Sequence, residues 1–112
     1  MKGSFLGEFE EVVLLAVCTL DNDAYSNRVR SEVEKHTQRP INLSAIHSAL
    51  YRMEKKGFLL SELGPASNKR GGKPKRIFKP TLEAVTALKH MREVRDSLWS
   101  NVPQVLLNKY SI

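Results

Sequence analysis

Ser44, Ala45, His47, Ser48, Tyr51 and Arg52 crowd into the stretch SAIHSALYRMEKKG, where they interleave with apolar Ile46, Leu50 and Met53. Wound into a helix, the apolar residues face a core and the polar ones share the opposite side. Hydroxyl, imidazole and guanidinium groups on a short helix suit hydrogen bonding to base edges, and a small side chain such as Ala45 allows close approach. A little further on, GPASNKRGGKPKRIFKP carries Lys69, Arg70, Lys73, Lys75, Arg76 and Lys79 and no acidic residue. Cations gathered in that way neutralise phosphates, which supplies affinity and register rather than sequence choice. Each segment alone has a plainer reading, a solvated helix face capped by Ser44 and a solvated charged loop. Their adjacency favours a joint one.

Other chemistries find little support. His36, His47 and His90 fall in separate expected helices, and no Cys/His cluster has zinc spacing. Asp21-Asn22-Asp23 could open a calcium loop, but the glycine and the later glutamate that such a loop requires are missing. No serine or cysteine stands in a nucleophile elbow, and no glycine-rich cradle follows a strand. The expectation is no catalytic residue, no metal and no cofactor. Cys18, among Leu14, Leu15, Ala16 and Val17, reads as a buried core thiol rather than a redox sensor.

The chain has 112 residues and a net charge of +6, distributed unevenly. Residues 1–23 sum to −4, residues 24–63 to +3, residues 64–80 to +6 and residues 81–112 to +1. A basic belt on a mixed surface implies a polyanionic partner, with double-stranded DNA leading. The length suits one compact core. No apolar run is long enough for a membrane span, and the acidic start does not read as a signal peptide, so a cytoplasmic protein without a membrane partner is expected.

The elements that must position these residues follow from periodicity. Leu6, Phe9, Val13, Ala16, Val17 and Leu20 predict a helix over residues 5–20, with Glu8, Glu10 and Glu11 near its start where the helix dipole favours acids. DNDAYS forms a turn. A second helix begins near Tyr25 or Ser26 and ends around Thr37, with Tyr25, Val29 and Val33 inward, and Pro40 prevents its continuation. Asn42 or Ser44 caps a third helix through Lys56, closed by Gly57. FLLSEL and KRIFKP form paired strands around the basic loop. Thr81 then caps a long helix with Val85, Leu88, Met91, Val94 and Leu98 along one stripe and Trp99 beside it. Pro103 kinks or restarts that helix, with Ser100 or Asn101 as the new cap. The predicted fold is mainly α with a small β-hairpin, a winged helix-turn-helix over residues 1–80. Residues 81–112 form a C-terminal helix region packed on it as one unit. A helix that long exceeds the cover so small a domain supplies, so a second copy is the simplest partner. Leu88, Met91, Val94, Arg95, Leu98, Trp99 and Val102 are the expected homodimer contacts. Trp99 is either an anchor of that contact or also a wall of a ligand pocket between subunits.

These segments resemble the PadR-like transcriptional regulators, in the small subgroup with a single C-terminal helix region. LGEFEEVVLLAV is similar to the family's opening helix. AYS resembles its Ala-Tyr-Gly turn, with Tyr25 on the tyrosine and Ser26 in place of glycine. LYRMEKKGFL and GGKPKRIFKPT resemble its recognition helix and wing, and the likeness covers about residues 6 to 99. His47-Ser48 stands where the family commonly has Tyr-Pro, and Ala84 where it has glycine. The resemblance implies a bacterial homodimeric repressor that contacts DNA through Tyr25, Ser26, the helix from Asn42 onward and the wing. It also raises a small aromatic effector beside Trp99. The competing class is a protein-interaction module built on the same scaffold, for which the wing charge would be dispensable.

Overall fold

A computed structural model of the chain describes residues 6–65 and 74–112. Its elements run α1 (Glu8–Leu20), a 3₁₀ turn (Asp21–Asp23), α2 (Ser26–Thr37), α3 (Leu43–Lys55), β1 (Leu59–Leu63), β2 (Arg76–Pro80), α4 (Leu82–Ser100) and α5 (Gln104–Lys109). The first three helices enclose the core with the hairpin across one side: Val13, Leu14, Val17, Val29, Val33, Ile46, Leu50, Met53, Leu59 and Phe78 are buried together. This is the predicted mainly α, winged helix-turn-helix architecture.

Local chemistry explains the joints. The Glu34 carboxylate accepts from the Ile41 backbone N–H at 2.8 Å, pinning the turn between α2 and α3. Asn42 caps α3, its side chain accepting from the Ser44 N–H at 2.8 Å, so the cap is Asn42 and not Ser44. At the other end Gly57 takes φ +84°, and the Phe58 N–H reaches the Met53 carbonyl at 2.9 Å in a Schellman closure. That turn delivers Phe58 and Leu59 to the core and starts β1.

β1 and β2 pair antiparallel with Ser61 opposite Phe78 and Glu62 opposite Ile77. The Phe78 N–H also donates to the Ala24 carbonyl at 2.9 Å, fastening the hairpin to the α1–α2 turn. Thr81 caps α4 by accepting from the Ala84 N–H at 3.3 Å and donates to the Gly57 carbonyl at 2.7 Å.

The inward stripe of α4 is Ala84, Ala87, Leu88 and Met91, rotated from the expected one, and Val85 is exposed. Small alanines let the helix approach closely, and Val85 cannot share that face. From Arg92 to Ser100 every residue is exposed. Residues Ser100 and Asn101 do not cap the final helix. Both side chains bond back to the Ser97 carbonyl, and Pro103 itself holds the N-cap position of α5. The overhanging α4 gives a radius of gyration of 16.8 Å, against about 13 Å for a compact chain of this size.

Candidate nucleic-acid interface

Helix geometry divides α3 into three strips around its buried Ile46, Ala49, Leu50 and Met53, the two flanking ones partly buried. Ser44, Ser48 and Lys55, spaced by four and seven, form an exposed outer ridge. His47, Tyr51 and Glu54 form the flank beside the hairpin. Ala45, Arg52 and Lys56 form the flank beside α1.

The hairpin flank is the more elaborate. The Tyr51 ring meets buried Phe78 edge-on, centroids 6.4 Å apart at 79°, and His47 stacks at a tilt 6.4 Å from Tyr51. Opposite them, Tyr25 stands at the start of α2, with the Lys75 ammonium 3.9 Å from the centre of its ring. An open concavity of about 230 Å³ lies between, lined by Tyr25, Ser26, Asn27, His47, Tyr51, Lys75, Arg76 and Phe78. The Arg76 guanidinium donates to Ser61 Oγ at 3.0 Å, and Ser61 in turn donates to the Glu54 carboxylate at 2.7 Å. The root of the wing is thereby tied to α3.

The α1 flank is an ionic cluster. Glu10 is 6% exposed, the one charged residue among the buried set of the described residues, and it accepts from Arg52 Nε at 3.1 Å and Lys56 Nζ at 3.0 Å. Its Oε1 also accepts from the Gly7 N–H at 3.3 Å. Burial alone would raise the Glu10 pKa, but the hydrogen bonds from Lys56, Arg52 and Gly7, with the Lys56 charge, outweigh that and hold it below the ordinary value.

The structure brings Tyr25, Ser26, His47, Tyr51, Lys75 and Arg76 to one groove and sets Ser44 and Ser48 on the ridge beside it. Asn42 serves as the helix cap. Arg52 differs from expectation. Its side chain turns from the ridge toward α1, because a buried carboxylate is a stronger attractor than solvent. Lys69, Arg70 and Lys73 lie outside the described residues. Two relevant residues carry no site role in the sequence reading. Asn27 lines the groove two positions past Tyr25, a separation with no helical signal, and Glu10 sits four past Leu6 on the buried stripe of α1, a spacing that signals burial but not its partners. Lys55, on the outward face of the third helix, joins the ridge seven past Ser48.

The expected dimer contacts also separate. Leu88 and Met91 are 9% and 8% exposed, covered by the chain's own core and with little surface left for a partner. The Arg95 guanidinium binds Glu11 of the same chain at 2.8 Å. Val94, Leu98 and Trp99 remain exposed, and Val102 is half-buried. Cys18 is half-buried, and burial raises its thiol pKa, which disfavours a reactive thiolate. Among the described residues no His, Cys, Asp and Glu side chains gather in a group able to hold a metal ion. No helix there is long and apolar enough to cross a membrane.

A helix-turn-helix joined to a two-stranded wing, with a basic, aromatic groove between them, defines the winged-helix class. Solved structures place it more narrowly. A PadR-like transcription factor from Bacteroides fragilis superposes with a TM-score of 0.70 at 16% identity, over 87% of this chain and 88% of that one. A PadR-family regulator from Eggerthella lenta gives 0.66 at 24% identity, over 88% and 86%. A PadR-like regulator from Bacillus cereus gives 0.70 at 18% identity, over 88% and 90%. The chain therefore has the fold of the PadR-like regulators, as its motifs suggested. No family model and no curated protein matches the sequence.

Proposed function

We propose that the chain is a sequence-specific, DNA-binding transcriptional repressor acting as a homodimer in the cytoplasm. Residues 1–80 meet DNA and residues 81–112 pair two copies. One observation carries this reading: Tyr25 and Ser26 from α2, His47 and Tyr51 from α3, and Lys75 and Arg76 from the wing converge on one groove. The outer ridge of α3 lies next to it. A major groove admits such a ridge, with flanking cations and hydroxyls on the phosphates. The exposed apolar run of Leu98, Trp99, Val105 and Leu106 supports pairing with a second copy. Trp99 also supplies a surface on which a flat aromatic effector can stack.

Mobility-shift titration against fragments selected from genomic DNA tests the reading. Binding should be sequence-selective and should weaken steeply with salt, because several phosphates are neutralised per protomer. Absent or salt-insensitive binding would overturn it and return the interaction-module alternative.

A further inference from the structure

Glu10 is a buried carboxylate at the start of the first helix, and the charges that satisfy it come from α3 and its C-cap, 42 and 46 residues away. Desolvating a carboxylate is costly unless it is fully paired. A leucine or valine at this position would fill the stripe that Leu6, Val13 and Val17 already define. The arrangement has a consequence for α3 that a purely apolar contact would not. Arg52 and Lys56 stand one turn apart on the same flank, and each has side-chain length enough to swing toward either α1 or the outer ridge. Their side chains are 52% and 40% exposed, so neither is trapped by packing. What directs them is the carboxylate.

We infer that Glu10 is a positioning residue for selectivity: by gripping Arg52 and Lys56 it draws both cations off the outer ridge of α3 and away from DNA phosphates. This rests on the DNA-binding reading above. The helix that presents Ser44, Ser48, His47 and Tyr51 to bases then adds little sequence-independent affinity of its own. Among the described residues, phosphate attraction is left to Lys55 on the ridge and to the groove residues Lys75 and Arg76. Selectivity is a ratio of specific to non-specific binding, so withholding two cations from every DNA sequence raises that ratio.

Glu10→Gln keeps the shape and removes the charge. Released cations should reach phosphates, so binding to a scrambled duplex should tighten by about eightfold per new contact at 0.1 M salt. The slope of log affinity against log salt should steepen by at least about 0.9 per protomer, and operator-over-scrambled discrimination should fall. Adding Arg52→Gln and Lys56→Gln to that variant should restore the original slope. Glu10→Gln should melt lower on either account, but a merely structural role would weaken both duplexes with the slope unchanged, and that result would overturn the inference. If Glu10→Gln fails to fold, Arg52→Gln and Lys56→Gln made singly decide, since each leaves Glu10 one cation. Both should keep the wild-type slope. A slope shallower by about 0.9 per protomer would mean that the cation already rests on phosphate, and the inference fails. Wild-type protein that binds no DNA at low salt would sink the parent reading. Wild-type protein that binds steeply while Glu10→Gln behaves identically would sink the Glu10 inference alone.

Discussion

Replacing Lys75 by Gln should flatten the salt dependence of DNA binding while leaving the preferred sequence unchanged. In the free chain the ammonium rests 3.9 Å from the centre of the Tyr25 ring, at the edge of the groove that Ser26, His47 and Tyr51 complete. Each lysine–phosphate contact contributes about 0.9 to the log–log salt slope, so a dimer missing two such contacts loses about 1.8. At 0.1 M salt that corresponds to about 1.8 log units of affinity, or about 2.5 kcal/mol. The ammonium must leave Tyr25 to reach phosphate, forfeiting a cation–π contact of about 0.5–1 kcal/mol in each protomer. The net loss on substitution then shrinks to about 0.5–1.5 kcal/mol, roughly two- to tenfold. The slope is indifferent to this offset, so a salt titration decides where a single Kd would not. Fluorescence anisotropy across about 50–300 mM salt, with operator and scrambled duplexes, provides the measurement. An unchanged slope would refute the placement of phosphate at the groove. So would a loss confined to the operator, which would make Lys75 a base-reading residue.

Gly57→Ala meets no atom within 4 Å of the new Cβ but must hold φ +84°, at a cost of about 1–2 kcal/mol. Thermal unfolding should register the change, and an unaltered melting temperature would mean that the Schellman turn had relaxed. Acid sensitivity should report on Glu10. Its folded pKa lies below the ordinary glutamate value of 4.5, so its contribution is complete above that pH and fades as the pH falls through the lowered folded value. Stability curves of Glu10→Gln should therefore converge on the wild type at low pH and diverge from it near neutrality. Parallel curves would contradict the ionic cluster. Leu98→Asp places a charge on a residue 67% exposed in the single chain. Melting of an isolated protomer should hardly change, while sedimentation should show a shift from dimer to monomer. A persistent dimer would move the pairing surface elsewhere. Trp99 emission titrated with planar aromatic compounds tests the effector, and no response across a broad panel leaves Trp99 an interface anchor alone.

Periodicity located α1, α2 and α3 well because each carries a strong amphipathic stripe between clear stop signals: Asp21-Asn22-Asp23, Pro40 and Gly57. The wing was legible from two short apolar runs bracketing a basic, glycine-rich loop. Which of Ile77 and Phe78 enters the core was not, since strand alternation leaves the register open until Ser61 pairs with Phe78. Phe78 is 2% exposed and Ile77 partly buried. The face of α4 was misplaced because Val85, Val94 and Leu98 outweigh two alanines on any hydropathy count, although Ala84 and Ala87 are the residues that permit contact. The sequence marks Glu10 as an acid near the helix start that serves the dipole. Composition favours that reading for most glutamates in a first turn, and its partners are too distant in sequence for local patterning to reveal. The groove residues were recognisable by type. Their convergence was not, because Tyr25, Tyr51 and Lys75 are far apart in sequence and are brought together by the Ala24–Phe78, Tyr51–Phe78 and Lys75–Tyr25 contacts.

Adjacent residues of α1 point to different helices, and this has a mechanical meaning. Successive side chains on an α-helix diverge by about 100°, so Glu10 and Glu11 cannot serve one neighbour. Glu10 binds Arg52 of α3 and Lys56 at its C-cap, while Glu11 accepts from Arg95 of α4 at 2.8 Å. One turn of one helix thus fixes the pose of both the element proposed to read bases and the element proposed to join two copies. In a symmetric dimer the separation of the two reading helices depends on how each is set relative to the pairing helix, and half-sites must be spaced to match. The buried end of this strut, Glu10, tolerates little play. The other end is softer: among the described residues the Glu11 carboxylate meets Arg95 alone, whereas Glu10 is held by Arg52, Lys56 and the Gly7 N–H. Rotation of α4 against α1 therefore has more freedom than rotation of α3 against α1. A change in half-site spacing, wherever it originates, is more easily accommodated at Arg95 than at the recognition helix itself.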